Sequence, residues 1–179
     1  MMNAQTPVEI KKVAIVGPEC TGKSDLAKFL AAHYNTSWVP EYARGYLDNL
    51  VRPYDKADLV TIAHGQLRLE ETWLQDAQKL LICDTNLLVI KIWSDVKYGE
   101  TDPAILKSIA NQKYELQLLT YVDIPWEEDP QREHPDKREQ LYEMYLKEVK
   151  AMDTPFAEIR GERNERRKAA IEAIDKLLK

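Results

Sequence analysis

Gly17, Pro18, Glu19, Cys20, Thr21, Gly22, Lys23 and Ser24 fit the pattern G-x-x-x-x-G-K-S/T. A loop of this kind wraps phosphate groups. Its glycines let the backbone turn N–H groups inward, and a helix starting at the loop adds partial positive charge at the same point. The chemistry needs a strand before the loop and a helix after it. Residues 10–16 read IKKVAIV, ending in an apolar strand-like run, and residues 24–30 open a helical pattern. In that setting the eight residues cradle a nucleoside triphosphate. Lys23 reaches the β- and γ-phosphates and the Ser24 hydroxyl ligates Mg²⁺. ATP and Mg²⁺ are the cofactors this pattern predicts.

The residues that follow the other strands carry the rest of the chemistry, because ligands of an open parallel sheet bind beyond the carboxyl ends of its strands. The second strand runs into Pro40-Glu41-Tyr42-Ala43-Arg44. Glu41 there either takes the proton from an acceptor hydroxyl or holds that hydroxyl by a hydrogen bond. Arg44 pairs with Glu41 or with substrate; a structural Glu–Arg pair at a helix start is the plainer alternative. The third strand ends Leu80-Leu81-Ile82-Cys83-Asp84, the Walker B pattern. Its aspartate holds Mg²⁺ through water and faces the transferring phosphoryl group, or else caps the helix that begins at residue 86.

Beyond the fourth strand lies a polar, proline-marked stretch with Arg132 and Arg138 six residues apart. It reads as a lid, about 126–138, that folds over ATP and brings guanidinium groups to the developing charge; the alternative is a solvated charged loop. Arg160, after the last strand, marks an edge for the adenine. Trp93, Tyr98 and Trp126 offer faces for an acceptor ring, and a flat cationic ring is well held between two such faces; the same rings serve equally as packing. Gln66, after Gly65 in a long helical stretch, either reads an acceptor base or amide or lies at the helix edge.

These residues must be held by strands alternating with helices. Apolar runs predict strands at 10–16, 37–39, 79–83, 116–122 and 156–159. Spacings of three, four and seven predict helices at 23–33, 55–77, 86–96, 103–111, 136–152 and 164–178. This alternation gives an α/β fold: a five-stranded parallel sheet with helices on both faces. Residues 1–9 read as an N-terminal extension and 10–179 as one P-loop domain.

The bulk numbers narrow the partners. The chain has 179 residues with 25 basic and 30 acidic side chains, net charge −5, which argues against a nucleic-acid partner. The basic stretch 160–168 is interrupted by Glu162 and Glu165 and reads as a solvated helix start. No apolar run approaches a membrane span, and the N-terminal residues lack the apolar stretch of a secretory signal. Two cysteines, Cys20 and Cys83, fit a reducing compartment, so a cytoplasmic location is expected. The partners predicted are ATP and a small-molecule acceptor, and an oligomer is compatible with the sequence.

Taken together, GPECTGKS, WVPEYAR, LICDTN, IWSDVKYG and VDIPWEEDPQREHPDKRE resemble the ribosylnicotinamide kinase domain of the NadR family, over about residues 11–178. The resemblance implies a deoxynucleoside-kinase-like P-loop fold and ATP-dependent phosphorylation of the 5′-hydroxyl of nicotinamide riboside, for NAD supply. It puts acceptor contacts on Glu41, Arg44, Trp93 and Trp126, and Mg²⁺ or hydroxyl activation on Asp84. NadR proteins carry a helix-turn-helix and an adenylyltransferase domain before the kinase, whereas this sequence starts ten residues before its first strand, so a freestanding kinase is expected. A kinase for another nucleoside or a nucleoside monophosphate is the alternative. A third reading, from another class, is an ATP-driven switch or ATPase acting on a protein partner.

Overall fold

The computed structural model describes residues 9–179; the expected extension lies almost wholly outside the described residues. Five strands form one parallel sheet: β1 (Lys11–Val16), β2 (Trp38–Val39), β3 (Leu80–Asp84), β4 (Leu116–Thr120) and β5 (Phe156–Ile159), in the order β2-β3-β1-β4-β5. The helices are α1 (Lys23–His33), α2 (Tyr42–Asp48), α3 (Lys56–Leu74), α4 (Leu87–Tyr98), α5 (Pro103–Asn111), α6 (Arg138–Ala151) and α7 (Arg163–Leu177), with a short 3-10 turn at Pro135–Lys137. The α/β alternation read from the sequence is the architecture found.

A sheet covered on both faces needs strands apolar at consecutive positions. Val13 and Ile15 pack with Leu26, Leu30, Ala170 and Ile174 of α1 and α7, while Ala14 and Val16 turn to the other face and meet Leu88, Ile92, Tyr145 and Val149 of α4 and α6. A third cluster, with Leu59, Ile62, Leu87 and Ile105, joins α2 and α3 to α4 and α5 beside the sheet. Register then sets the site. Ile15 pairs with Asp84 and Val16 with Leu119, so β1, β3 and β4 end together at one edge, and the phosphate loop leaves β1 beside Asp84.

Two close approaches demand glycine. Gly17 has φ +141°, and a Cβ there would stand 2.5 Å from Thr120 Oγ1; at Gly65 it would stand 2.1 Å from the Tyr42 ring, where α2 lies on α3. The long helix predicted at 55–77 is α3, with Asp55 as its cap through a reciprocal capping box with Asp58. The fourth strand stops at Thr120, two residues early. Helix α2 is not among the predicted helices, though a helix start at Glu41–Arg44 is the alternative named above: it has only seven residues, Gly45 at its centre and one fully buried side chain, Ala43, so its apolar positions are too few to stand out. Among the described residues no helix is long and apolar enough to cross a membrane.

Candidate functional site

The phosphate loop is held in shape by its own backbone geometry and hydrogen bonds. Cys20 and Gly22 both have positive φ, +52° and +74°. The Thr21 hydroxyl bonds the Pro18 carbonyl at 2.8 Å and the Thr120 hydroxyl at 2.7 Å, tying the loop to the end of β4. Lys23 Nζ donates to the carbonyls of Gly17 (3.0 Å) and Pro18 (2.6 Å), so its ammonium is held inside the loop. Burial lowers the Lys23 pKa, opposed by the carboxylates of Glu41, Asp84 and Glu19. A cation desolvated among three acidic groups is well primed to meet phosphate charge.

Ser24 Oγ donates to Asp84 Oδ2 at 2.5 Å, and Asp84 Oδ1 is buried with no hydrogen-bond partner among the described residues. Burial raises the Asp84 pKa, partly offset by the Ser24 hydrogen bond and by Lys23. A hydroxyl and a carboxylate with one unused oxygen suit a hard cation that takes oxygen ligands, so these two side chains fit Mg²⁺. The capping role is taken by another residue: Asn86, at the N-cap of α4, accepts from the Leu88 N–H at 3.0 Å.

Glu41 stands at the N-cap of α2, yet its side chain makes no capping bond. It lines the cleft next to Lys23 and Arg44. Burial pushes its pKa up to about 7, against the pull of Lys23, with Asp84 adding to the rise. A carboxyl poised there can take a proton near neutral pH. The Glu41–Arg44 hydrogen bond is not formed. Arg44 Nη1 instead reaches both carboxylate oxygens of Asp129, at 2.8 Å each.

The cleft has two chambers, of about 520 and 180 Å³, which share Glu19, Trp93, Gln131 and Tyr145. The larger holds the phosphate loop, Glu41, Arg44 and Arg132. The smaller is walled by Leu47, Leu50, Tyr54 and Trp93, with the Tyr54 and Trp93 ring centres 6.4 Å apart.

Several expected contacts sit elsewhere. Arg138 does not line either chamber; it donates to the carbonyls of Cys20 (3.0 Å) and Ile124 (3.0 and 2.9 Å) and clamps the lid base to the phosphate loop. Trp126 lies under the two lid arginines, 5.9 Å from Arg132 and 5.8 Å from Arg138, and faces neither chamber. Tyr98 turns its hydroxyl to the Tyr54 carbonyl at 3.2 Å. Arg160 pairs with Glu158 at 2.6 Å and covers the Tyr121 ring, away from the cleft. Gln66 is buried at the α2–α3 junction, where its Oε1 accepts the Tyr42 N–H at 2.8 Å and its Nε2 has no partner among the described residues.

The reading of 160–168 as a solvated helix start needs correcting. Arg166 is buried, 6% exposed, and its guanidinium donates to the carbonyls of Thr21 (2.8 Å), Gly161 (2.7 Å) and Tyr121 (2.8 Å) and to the Asp123 carboxylate. Arg163 and Arg167 line the larger chamber with it. Charges alternating in sign hid them: only tertiary placement separates a buried arginine from its solvated neighbours.

A family model described as an AAA domain, AAA_28, matches residues 12–166. The chain belongs to this AAA_28 family. It is also similar to the trifunctional NAD biosynthesis/regulator protein NadR of Salmonella typhimurium, 27% identical over 129 residues, covering 69% of this chain and 31% of that protein. NadR of Escherichia coli matches at the same identity and coverage. The AAA_28 chain thus spans less than a third of the length of these curated relatives. Among solved structures, a NadR protein in complex with NR superposes with TM-score 0.78 at 20% identity, over 93% of this chain and 49% of that one. The deoxyadenosine kinase of M. mycoides gives 0.56 at 14%, over 93% and 99%. The likeness to NadR proteins read from the motifs therefore recurs in the sequence comparison, and the solved structures carry it for the fold.

Within this AAA_28 site the unpartnered Asp84 oxygen makes a direct prediction. Asp84→Asn keeps the shape and removes the charge, so kcat for phosphoryl transfer should fall by about 10²-fold or more, with ATP affinity changed far less. Initial rates across a Mg²⁺ titration check it, and a kcat within about threefold of the parent at every Mg²⁺ concentration would remove Asp84 from the machinery.

Proposed function

We propose that this chain is an ATP-dependent kinase that phosphorylates the 5′-hydroxyl of a nucleoside, with nicotinamide riboside as the preferred acceptor. One observation carries the reading. A carboxyl with no hydrogen bond among the described residues, Glu41, with its pKa pushed up to about 7, stands in the same cleft as the phosphate-loop Lys23. That arrangement matches transfer from a triphosphate to a hydroxyl. The NadR relatives, one of them in complex with NAD and AMP-PNP and one with NR, support the donor and acceptor classes.

In the proposed reaction the acceptor hydroxyl lies against Glu41, which takes its proton as the oxygen attacks the γ-phosphorus and the bond from that phosphorus to the β–γ bridging oxygen breaks, releasing ADP. Lys23 and Arg132 meet charge on the transferred group from the loop side and the lid side. Ser24 and Asp84 would hold Mg²⁺, which neutralises phosphate charge when bound. Arg166 keeps the loop in shape through the Thr21 carbonyl.

The acceptor ring is assigned to the smaller chamber, against Trp93. The pairing of Trp93 with Trp126 is replaced by Trp93 with Tyr54, because Trp126 is committed to the lid arginines. In a competition at equal concentrations, nicotinamide riboside should be phosphorylated with higher kcat/KM than thymidine, deoxycytidine, adenosine or uridine. Trp93→Ala should cost roughly 3- to 30-fold in kcat/KM for the riboside through lost stacking and cation–π contact, with ATP affinity little changed. A win by an ordinary nucleoside would overturn the named acceptor. ATP turnover independent of any nucleoside would favour the switch or ATPase reading.

A further inference from the structure

The lid grips helix α2 at three points within one short turn. Asp129 takes Arg44 Nη1 on both oxygens, at 2.8 Å each, and its Oδ1 also accepts the Gln131 N–H at 2.9 Å. Gln131 Nε2 donates to the Arg44 carbonyl at 3.2 Å and to Asp48 Oδ1 at 2.5 Å. One lid turn thus holds a side chain, the backbone and the last residue of α2.

Ala43 is the one buried residue of this helix, and Tyr42, Tyr46 and Leu47 are only partly buried against the cluster of α3, α4 and α5. The Tyr42 ring rests on Gly65, the Tyr42 N–H bonds Gln66, and the Tyr46 hydroxyl donates to Asp58 at 2.7 Å. Glu41 immediately precedes α2 and its side chain has no hydrogen bond among the described residues, so the helix backbone sets where its carboxylate stands. At its other end the lid is fixed to the phosphate loop. Glu19 Oε2 accepts the N–H groups of Glu133 and His134 at 2.9 and 3.4 Å, and Arg138 holds the Cys20 carbonyl. The lid is therefore a strap from the phosphate loop to the helix that carries Glu41.

We propose that Asp129 and Gln131 are positioning residues that act through Arg44 and α2 to bring Glu41 into place when the lid closes over the phosphate loop. The inference rests on the nucleoside-kinase reading above for its catalytic meaning, and on hydrogen bonds alone for the coupling. The strap suits a step that must reverse every turnover. The Arg44–Asp129 pair is part-exposed, with side chains 44% and 21% accessible, and such a pair is weak enough to open and re-form. Lid motions of this kind gate access and complete the catalytic arrangement together.

The test uses the full chain, with Asp129→Asn, Gln131→Ala and the double variant, and Asp129→Glu as the conservative change. Hydrogen exchange is read first, on protein without ligand. Amides of 42–48 should exchange about tenfold faster in the double variant, while those of α1 stay at the parent rate, since local opening follows local bonds. Faster exchange confined to 126–137, with α2 unchanged, would overturn the coupling.

Kinetics are read second. kcat should fall about 10- to 100-fold, the cost of a misplaced catalytic group, with KM for ATP within about twofold, and Asp129→Glu should recover most of the loss. Equal losses in kcat and ATP affinity, or no rescue by glutamate, would overturn the positioning role. If the parent phosphorylates no nucleoside, the functional reading fails by itself, and the exchange measurement still decides whether the lid holds α2.

Discussion

Lys23→Ala is expected to cut phosphoryl transfer by about 10³-fold while the protein stays folded. The two halves of this expectation have separate causes. Lys23 contributes no apolar packing to the sheet faces, whose clusters are built from Val13, Ile15, Leu30 and their neighbours. Its own side-chain bonds run to two loop carbonyls, Gly17 and Pro18, and to no strand of the sheet. The loop also keeps its other ties, from Thr21 to Thr120 and from Arg166 to the Thr21 carbonyl.

The catalytic half follows from charge. With Lys23 removed, the transferring group faces Glu41, Asp84 and Glu19 with no loop cation between them, so the electrostatic cost appears mainly in the transition state. Circular dichroism and thermal unfolding check the fold, and single-turnover transfer checks the chemistry. A folded variant with turnover near that of the parent would end the assignment of this loop to phosphate.

The same residues show how far sequence reasoning reaches. The phosphate loop, Asp84 and Glu41 were legible because each follows an apolar strand, and a parallel sheet fixes what lies beyond strand ends. Helix α2 was legible only as an alternative helix start, because seven residues give too few apolar positions to show a period, and its Tyr42, Ala43, Tyr46 and Leu47 are recognised as one face only once α3 and α4 lie against them. Arg138 and Arg132 look alike in sequence, yet Arg132 lines the larger chamber and Arg138 is spent on backbone carbonyls. Arg166 reads as one more charge in a solvated run until β4, β5 and the phosphate loop close around it. Contacts between segments distant in the chain decide each of these cases, and residue type alone does not encode them.

Glu41→Gln should remove both the proton acceptor and a pH dependence. The acid limb of kcat/KM in the parent should bend near pH 7, because Glu41 with a pKa of about 7 is protonated, and useless as a base, below it. Rate should then fall roughly tenfold for each pH unit below the bend. In Glu41→Gln the rate at pH 8 should drop by about 10²- to 10⁴-fold and the limb at 7 should vanish. Stability moves the other way. The folded-state pKa lies above the ordinary 4.5, so between about 4.5 and 7 the folded chain binds more protons than the unfolded one. Stability from this group is therefore full below 4.5 and is lost as pH rises through 7. Glu41→Gln, always neutral, should melt at a higher temperature than the parent at pH 8 and at nearly the same temperature at pH 4. Finding the limb still present in the glutamine variant would move the proton to Asp84, the carboxyl near Lys23 whose pKa burial also raises.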